Sequence, residues 1–568
     1  MSVWILTVEA LDASNNPVIL RYSDGAYIDG SSNYYEPRMK QAALVNVSPN
    51  DGGVLSIFQS AAIGDIELIN VDGGLNYLID YAVDGRAVVL SLVNDDLSIT
   101  TIFTGTIDRM SERGGALFFT MKSLTDALTK NHPAAVYAGN NSPPNCLEGT
   151  ADTIEGRIKP KVFGDCLNVA PIMVNSSLLI YEASSRTDAV ITAVYDDGVR
   201  LINYLVNNGA GYAAGATSIA VDAGVAGSSI PTNSKIIFDN HRKIYTVSAG
   251  ISGAAGTITI TPALTTAIAD NNHVEVINLY TGSGTGSGQL QNVVTAGAWS
   301  SYNGYFRLAA TPSKQVTCDV MSVSSYVQHS AGDVFATIAS ELGITVNSAS
   351  VTMLNAVGVI GINMPESTSS KELFDSIARS VGGFYYYLGS TLYFSLFDAP
   401  SGSPVATIEE YQILSIERDA TGLGSNGLPI NEVKAQYNKI DTVQTTVAGA
   451  TPLYRTELLK NEYRETSVND AAVLTRHPLS PSLTIQTRLR KKADALAVIN
   501  RLLGSCKVRR DVISVTAFFS QIPILTLTLG NTLVIKHTRY SYSAGRSFII
   551  IGYEADMKRK KITLRLFG

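Results

Sequence analysis

The sequence predicts a mainly β, multi-domain protein with a few short helices and one small inserted β module. Apolar and polar residues alternate in many short runs that end at Gly, Pro or Asp-Gly turn signals. Only three stretches have apolar residues at helical spacing. With 568 residues, the chain has the length of roughly three to five domains. It is therefore long enough to bury several cores.

The composition is that of a folded chain with few charges. Apolar residues make up 45% of it, and charged residues make up 16%, against roughly 25% in ordinary soluble proteins. Low charge is typical of β-rich chains and of proteins that bury surface against partners. There are 43 Lys and Arg against 49 Asp and Glu. This acidic balance argues against a protein that binds DNA by neutralising phosphates.

Two targeting signals are not found in the sequence. No run of 18 apolar residues is present, so we predict no membrane span. The start, "MSVWILTVEALDAS", has no basic region before its short apolar run and does not resemble a signal peptide. We therefore expect synthesis and folding in a cytoplasm.

The four cysteines are Cys146, Cys166, Cys318 and Cys506. No pair has C-x-x-C spacing, and a large unexported chain is not expected to carry a disulfide framework. We predict buried, inert thiols. A metal or iron–sulfur site that includes Cys146 and Cys166 is the less favoured alternative.

Residues 1–130 are predicted to form an N-terminal β domain. "NPVILRYSDGAYIDG" contains two Asp-Gly turns, and "ITTIFTGTIDRM" alternates as a strand does. Residues 131–206 are predicted to be a β-rich connecting region. There, "GRIKPKVFGDCLNVAPIMV" predicts strands, and "DAVITAVYDDGVRL" predicts a strand followed by an Asp-Gly turn.

Residues 207–280 are predicted to be an inserted module, rich in Gly, Ala and Thr. In "GTITITP", Ile258 and Ile260 fall on one face of a strand and the threonines on the other. The next stretch, "TGSGTGSG" at 281–288, is predicted to be a flexible linker. We expect this linker to let the module reorient.

Residues 281–410 are predicted to be a mixed α+β domain that starts at the Gly-rich linker. Its first helix has Ser330 and Asp333 at capping-box spacing and Gly343 as its C-terminal glycine. Its second helix has Ser369 and Glu372 at the same spacing. A hairpin turning at Gly389-Ser390 follows. The apolar faces are predicted to be Val334, Phe335, Ile338 and Leu342 in the first helix, and Leu373, Phe374, Ile377 and Val381 in the second.

Residues 411–568 are predicted to be a C-terminal β domain with one helix. That helix is predicted to span Gln486–Leu503, with Leu489, Leu496, Ile499 and Leu503 turned inward.

The basic run Lys558 to Lys561 has three interpretations: a nucleic-acid contact, a membrane tether or the turn of a closing hairpin. Ile562, Leu564 and Leu566 share one face of the strand that follows, which favours the hairpin.

No motif predicts catalysis. "GSGTGSG" has neither G-x-G-x-x-G nor the Gly-Lys-Ser/Thr of a phosphate loop. H-E-x-x-H and G-x-S-x-G are absent from the sequence. The acidic pairs Asp95-Asp96, Asp196-Asp197 and Glu409-Glu410 are neighbours on one segment, whereas a glycosidase needs two carboxylates across a cleft. We assign the two Asp pairs to turns, and predict no catalytic, cofactor-binding or metal-binding residue.

Several stretches together resemble baseplate hub proteins of long-tailed bacteriophages and related prophage and gene-transfer-agent hubs. The C-terminal "LTLGNTLVIKHTRYSYSAGRSFIIIGYEADMKRKKITLRLFG" carries most of the resemblance. "KPKVFGDCLNVAPIMV" with "AVITAVYDDGV", "GYFRLAATPSKQVTCDV" and "KELFDSIARSVGGFYYYLGSTLYFSL" carry the rest, in the order the family has them. The stretches cover about half of the chain.

The resemblance implies tail-tube-type, β-barrel-like domains and a homotrimer at the tail tip or baseplate of a virion. Two such domains per chain would give a pseudo-sixfold ring. The implied partners are the distal tail protein, a central fibre or tip protein and the tape measure protein. Genomic DNA would pass through the lumen without specific binding. Some relatives hold an iron–sulfur cluster, but the four cysteines here lack compact cluster spacing, so no cofactor is predicted.

The sequence thus predicts a structural virion protein rather than an enzyme, assembled in the host bacterial cytoplasm. A receptor- or glycan-binding tail protein is the first alternative, with the inserted module and surface tyrosines as its binding face. A cell-wall-degrading tail enzyme is the second.

Overall fold

The structure is a computed structural model. It describes residues 3–42, 45–49, 58–94, 96–122, 126–141, 147–224, 228–239, 241–277, 298–388, 390–421, 428–518, 528–556, 559 and 561–568. Strands dominate and helices are few and short, which confirms the predicted mainly β class.

The first strands belong mainly to the N-terminal third of the chain. They are β1 Val3–Leu11, β2 Pro17–Ser23, β3 Tyr27–Ile28, β4 Tyr34–Tyr35, β5 Met39–Gln41, β6 Val45–Pro49, β7 Phe58–Ile63, β8 Ile66–Ile69, β9 Ala87–Val93, β10 Ile99–Arg113, β11 Ala116–Met121 and β12 Asn131–His132.

The central strands surround and include the inserted module. They are β13 Lys161–Val169, β14 Ile172–Asn175, β15 Ile180–Glu182, β16 Ala189–Asp196, β17 Val199–Arg200, β18 Tyr204–Val206, β19 Ser218–Asp222, β20 Ser229–Ile230, β21 Lys235–Phe238, β22 Tyr245–Ala249, β23 Ile251–Ser252, β24 Gly256–Thr261, β25 His273–Ile277, β26 Trp299–Tyr302, β27 Tyr305–Leu308, β28 Val316–Ser324 and β29 Val327–Gln328.

The last strands form the C-terminal part. They are β30 Thr345–Val346, β31 Gly361–Met364, β32 Thr368–Ser369, β33 Gly383–Leu388, β34 Thr391–Leu396, β35 Ala406–Ile408, β36 Ile413–Thr421, β37 Glu432–Tyr437, β38 Arg464–Asn469, β39 Ser482–Gln486, β40 Asp511–Phe518, β41 Thr532–Ile535, β42 Arg546–Asp556 and β43 Lys561–Phe567.

The α-helices of the described residues are short. They are α1 Asp126–Thr129, α2 Ala331–Glu341, α3 Ser348–Asn355, α4 Ser370–Val381, α5 Leu453–Leu459, α6 Ala471–Arg476 and α7 Lys492–Cys506. The buried faces of α2, α4 and α7 share one large apolar cluster with strands β33 and β34. The helices therefore fill the space between sheets.

The N-terminal sheet curls into a barrel-like unit. Its strand order is β2-β1-β9-β10-β11-β8-β5. The chain between β4 and β5 links both edges: the Glu36 N–H donates to the Arg21 carbonyl at 3.1 Å, and the Ile69 N–H donates to the Arg38 carbonyl at 2.7 Å. We call this unit the N-terminal barrel. Buried apolar residues such as Leu6, Leu90 and Phe119 form its core.

Strands β6 and β7 leave the N-terminal barrel and join the C-terminal sheet. That sheet has the order β30-β34-β33-β7-β6-β42-β43-β40-β36, with β41 and β35 continuing from β42. Val47 pairs with Tyr553 and Phe58 pairs with Tyr385. A hairpin from the N-terminal sequence is thus an internal part of a sheet formed mainly by the last third of the chain.

The centre of the molecule has a sheet of order β17-β16-β28-β13-β31, with β29 beside β28. We call it the middle sheet. The inserted module is a closed barrel of order β18-β19-β24-β22-β21-β25, which we call the inserted barrel. Its strands begin at Tyr204, and Ile258 and Ile260 are buried in its core as their alternation predicts.

The predicted caps and hairpins are largely confirmed. The Ser369 side chain accepts a hydrogen bond from the Glu372 N–H at 3.3 Å. The Asp333 carboxylate accepts one from the Ser330 N–H at 3.0 Å. Gly343 has φ +72° just past α2. Strands β33 and β34 pair from Leu388–Thr391 onward, as a two-residue turn requires; Gly389 itself lies outside the described residues.

The predicted helix Gln486–Leu503 is wrong at its start, because α7 begins at Lys492. Gln486 ends β39, and Leu489 is buried in a bridge to Ile360. The Arg488 N–H donates to the Ser380 hydroxyl at 2.8 Å. These distant partners hold the backbone of residues 486–489 extended, although the apolar spacing of this stretch fits a helix.

The prediction of one helix in residues 411–568 is also wrong, because α5 and α6 lie there as well. Each is only six or seven residues long. That is too short to show an apolar period in the sequence.

Candidate functional site: the N-terminal groove

A shallow groove of about 570 Å³ lies where the N-terminal barrel closes. We call it the N-terminal groove. One wall comes from the chain around β4 and between β4 and β5, and the other comes from the end of β8 and the loop that follows it. The lining residues are Tyr34, Glu36, Pro37, Arg38, Ile69, Val71 and Asp72.

Arg38 joins the two walls of the N-terminal groove. Its guanidinium binds the Asp72 carboxylate with two hydrogen bonds, at 2.7 and 2.9 Å, and also pairs with Glu36. The Arg38 side chain donates further to the Ile69 carbonyl at 3.2 Å. Hydrogen bonding to Arg38 lowers the pKa of Asp72 to about 2. Asp72 therefore stays ionised at neutral pH, and its charge is paired with that of Arg38.

Hydrogen bonds of Asn70 and the burial of two leucines fix the conformation of the loop of residues 70–80. Asn70 is buried, and its side-chain oxygen Oδ1 accepts a hydrogen bond from the Leu75 N–H at 2.7 Å. Its amide donates to Asn76 at 2.8 Å. Leu75 and Leu78 are inserted into the barrel core. The same loop must then turn its other side chains outward.

The outward side chains form an apolar surface beside the groove. Val71 is 82% exposed, Ile79 is 76% exposed and Tyr77 is 46% exposed. Asp72 and Asp80 are exposed among them. An ordered group of exposed apolar side chains, rimmed by carboxylates, is typical of a protein–protein contact. The sequence alone carries no signal of this surface, because exposure depends on which alternate residues enter the core.

The acidic pairs act as turn and capping residues. Asp196 accepts the backbone N–H groups of Ser313 and Lys314 at 2.7 and 3.0 Å. Asp197, with φ +49°, and Gly198, with φ +85°, make the tight turn between β16 and β17. This confirms the turn predicted for that pair.

The described residues of the other two pairs also have defined partners. Asp96 accepts the Ser98 N–H at 3.0 Å, and Asp95 lies outside the described residues. Glu409 pairs with Lys536 at 2.8 Å, and Glu410 accepts from the Thr538 hydroxyl at 2.8 Å.

The described cysteines are buried free thiols. Burial raises the pKa of Cys166, Cys318 and Cys506, and holds them in the unreactive protonated form. Cys146 lies outside the described residues. In the part of the chain that the structure describes, no group of three or more His, Cys, Asp or Glu side chains is placed to hold a metal ion.

The closing hairpin is the correct interpretation of the basic run. Strands β42 and β43 pair from Asp556–Lys561 onward, and Ile562, Leu564 and Leu566 are fully buried. Arg559 lies in the turn with its side chain 76% exposed; Lys558 and Lys560 lie outside the described residues.

One buried carboxylate fixes the sheet beside this hairpin. Asp511 pairs with Arg418, accepts from Arg546 at 2.9 Å and accepts from the Tyr542 hydroxyl at 2.7 Å. Its backbone exchanges two hydrogen bonds with Gly568. The last strand is therefore tied into the sheet core.

The inserted barrel is docked on the middle sheet by a charged contact. Arg200, at the end of β17, pairs with Asp239 at 2.8 Å and with Glu275 at 3.0 Å. Asp239 also binds the His273 ring at 2.7 Å. Glu275 is 1% exposed, and its burial raises its pKa while Arg200 opposes that rise.

Apolar and backbone contacts complete this docking. Ile237 and Ile277 of the inserted barrel pack with Val190 and Met321 of the middle sheet. The Ile244 N–H donates to the Tyr326 carbonyl at 2.9 Å. The prediction that the module reorients freely is therefore wrong, because these contacts hold the inserted barrel against the middle sheet. The predicted linker 281–288 lies outside the described residues.

A second element crosses the middle sheet: residues 439–460, which we call the crossing segment. Arg455, at the start of α5, is 5% exposed. Its guanidinium donates to the Asn168 amide oxygen at 2.8 Å and lies 3.3 Å from the centre of the Tyr195 ring. The Asn168 amide donates in turn to the Thr442 carbonyl at 2.6 Å. These contacts tie the crossing segment to strands β13 and β16.

The tyrosines of the inserted barrel do not support it as a receptor-binding face. Tyr204 and Tyr245 are fully buried, and Tyr212 is half-buried. The most exposed tyrosines of the described residues lie elsewhere, at Tyr411 and Tyr454.

Comparison with known proteins adds a few remote similarities. No protein-family model matches the chain, and no curated protein matches it. Among solved structures, the prophage MuSo2 43 kDa tail protein from Shewanella oneidensis is 8% identical, over all of this chain and 98% of that one, with a TM-score of 0.38.

Two further structures give similar values. A tail protein from Neisseria meningitidis is 12% identical over 67% of this chain and 96% of that one, with a TM-score of 0.28. A chain of a native gene transfer agent virion is 12% identical over 73% of this chain and 85% of that one, with a TM-score of 0.32. Because these TM-scores are below 0.5, we rest no argument on these similarities.

None of the described helices is long and apolar enough to cross a lipid bilayer.

Proposed function

We propose that this chain is a structural protein of a phage-type tail: a homotrimeric hub at the tail tip or baseplate. One observation carries the proposal. Besides the inserted barrel, the chain has two barrel-like β units, the N-terminal barrel and the sheet that curls through β35-β41-β42-β43-β40-β36. The β6–β7 hairpin, which comes from between strands of the first unit, is built into the sheet of the second.

This strand exchange supports a load-bearing role. Two units joined by a loose linker would move independently. Here the link between them is a strand pair within a continuous sheet, whose backbone groups are hydrogen-bonded on both sides. Three copies would then place six units around one axis as a stiff ring. Curled and closed sheets also leave few free edges for unwanted pairing.

In this proposal the chain is not an enzyme and needs no cofactor. The ring continues the tail tube, with the distal tail protein above it and a central fibre or tip protein below it. The tape measure protein is a further partner, and genomic DNA passes through the lumen without specific binding. The sequence resemblance described above supports these partners. The docking of the inserted barrel and the crossing segment supports rigid transmission of a displacement at the tip.

The test is the position of the chain in assembled tails. Tails produced from the complete tail gene cluster would be labelled with gold-conjugated antibody against the chain and imaged by negative-stain electron microscopy. We expect label at one end of the tail, and tails without a tip structure when the gene is deleted. Label along the tube, or complete tails after the deletion, would disprove the proposal.

Complementation with a surface variant is the control for the deletion. Leu97 is 76% exposed in the turn between β9 and β10. Complementing the deletion with Leu97→Ser should restore tips fully, because no core contact changes.

A further inference from the structure

The turn between β28 and β29 has a strained backbone. Ser324 pairs with Val327, so the turn consists of two residues. They are Ser325, with φ +48°, and Tyr326, with φ +63°. This left-handed region is unfavourable for a residue with a Cβ, most of all for a bulky one. The turn between β16 and β17 has the same length but uses an Asp-Gly pair, at 197–198, which adopts this conformation readily.

The inserted barrel bonds to this strained turn with residues 242–244. The Ile244 N–H donates to the Tyr326 carbonyl at 2.9 Å, and the Gln328 N–H donates to the Arg242 carbonyl at 2.8 Å. The backbone bridge between the two stretches is antiparallel. Residues 242–244 therefore lie beside β29 like a short extra strand.

The Tyr326 side chain adds a second contact with the inserted barrel. The Lys235 ammonium lies 4.9 Å from the centre of the Tyr326 ring. The ring also packs against the apolar cluster that joins the inserted barrel to the middle sheet. A glycine would relax the turn but would remove this ring. Strained backbone persists where the surrounding contacts hold it, and here the inserted barrel supplies both the hydrogen bond and the cation–π contact.

The strained turn also leads directly into helix α2. Two residues, His329 and Ser330, separate β29 from α2, and Ser330 is the N-cap of that helix. The Arg242 guanidinium of the inserted barrel donates to the Ser330 hydroxyl at 2.8 Å. It also donates to the Gln328 carbonyl at 3.4 Å. One stretch of the inserted barrel therefore contacts both the strained turn and the start of α2.

We propose that the β28–β29 turn is a strained latch that couples docking of the inserted barrel to the first turn of α2. The turn keeps its left-handed conformation while the inserted barrel is docked and relaxes when it undocks. Undocking removes the partners of Tyr326 and the Arg242 bond to Ser330 together, so the start of α2 opens as well. The coupling belongs to the chain itself, whatever its place in a tail.

The first experiment changes the strain at an exposed side chain. Ser325 is exposed, so Ser325→Asn and Ser325→Val act mainly through backbone preference. Asn adopts the left-handed region more readily than Ser, and the β-branched Val adopts it least readily. Hydrogen exchange of the full-length chain gives the opening constant for residues 241–249. Because the docked state carries the strain, this constant should fall about threefold for Asn and rise about tenfold for Val.

Substitution of Ser324 is the matched control. Ser324 is also exposed, but it lies in the last position of β28. Val is favoured over Asn in a strand, so Ser324→Val should not raise the opening constant above that of Ser324→Asn. If Ser325→Asn and Ser325→Val both leave the opening constant unchanged, the turn keeps its conformation after undocking and the proposal is wrong.

The second experiment tests the coupling to α2. Arg200→Met loosens the inserted barrel at Asp239 and Glu275, away from the strained turn. Protection of residues 322–337 should then fall by the same factor as that of residues 241–249. Residues 316–320, earlier in β28, should keep their protection and serve as the internal control. Adding Ser325→Asn to Arg200→Met should restore part of the protection in both regions.

Independent opening would overturn the coupling. This result is an inserted barrel that loses protection in Arg200→Met while residues 322–337 exchange as in the wild type. Gold label at the tail tip together with independent opening would remove the latch and leave the proposed function standing. Coupled opening in a chain that labels the tube would do the reverse.

Discussion

The inserted barrel and the crossing segment lie on the same middle sheet, and a buried or half-buried arginine contributes to each contact. Arg200 faces two carboxylates, Asp239 and Glu275. Arg455 faces a neutral amide and the ring of Tyr195. The first contact is an ion-pair network, and the second is a charged hydrogen bond with a cation–π contact. Both contacts hold an element on the middle sheet, but they depend on charge in different ways.

The difference shows in what remains when the arginine is lost. Without Arg200, the fully buried Glu275 carboxylate loses its ion-pair partner, and breaking a buried pair is costly. Without Arg455, the nearest group is an amide that keeps its other hydrogen bonds. The inserted barrel is thus the attachment more sensitive to pH.

The largest effect is expected for Arg200→Met. It should lower the free energy of local opening at the barrel interface by about 3–5 kcal/mol at pH 8. The loss should be smaller at pH 5. A buried carboxyl whose pKa is raised in the folded state takes up a proton there, so stability falls as pH rises from about 4.3 through the folded pKa. Hydrogen exchange of peptides from β21 and β25 measures the change.

The control for that prediction removes both charges. Arg200→Met/Glu275→Gln should regain part of the loss at pH 8 and show little difference between pH 5 and pH 8. An equal loss for single and double variants at both pH values would show that the apolar contacts, not the ion pairs, hold the barrel.

A smaller effect is expected for Arg455→Met. The variant loses one charged hydrogen bond and one cation–π contact, together worth about 2 kcal/mol in a buried site. Its dependence on pH should be weaker than that of Arg200→Met. Hydrogen exchange of peptides covering 439–460 is the measurement. A stronger pH dependence than that of Arg200→Met would contradict the comparison.

The smallest effect is expected for two glycine substitutions, which separate the cost of backbone strain from the cost of a steric contact. Gly198 has φ +85°, and a Cβ there would lie 2.9 Å from Val447 of the crossing segment. Gly215 of the inserted barrel has φ +93° with open space around it. Gly198→Ala should therefore cost more than Gly215→Ala, for which strain alone costs about 1 kcal/mol. Thermal unfolding of the two variants gives the difference, and equal shifts would show that Val447 moves aside without cost.

Local chemistry was predictable wherever the deciding residues are neighbours in sequence. The Ser369–Glu372 cap, the Gly343 helix end and the turn at Asp197-Gly198 each depend on three or four consecutive residues. The alternation of Ile562, Leu564 and Leu566 likewise fixed the closing hairpin. In these cases the sequence by itself determined the structure, because the competing conformations lack the same local hydrogen bonds or burial.

Only the tertiary structure decided what depends on distant partners. Strand β6 lies about 500 residues from its partner β42, and Leu489 is extended because Ile360 bridges to it. The exposure of Val71 follows from the insertion of Leu75 and Leu78 into the core. A period in the sequence gives the relative faces of an element, but only the surrounding sheets decide which face is covered. The N-terminal groove therefore had no signal in the sequence, although the residues that build it are all there.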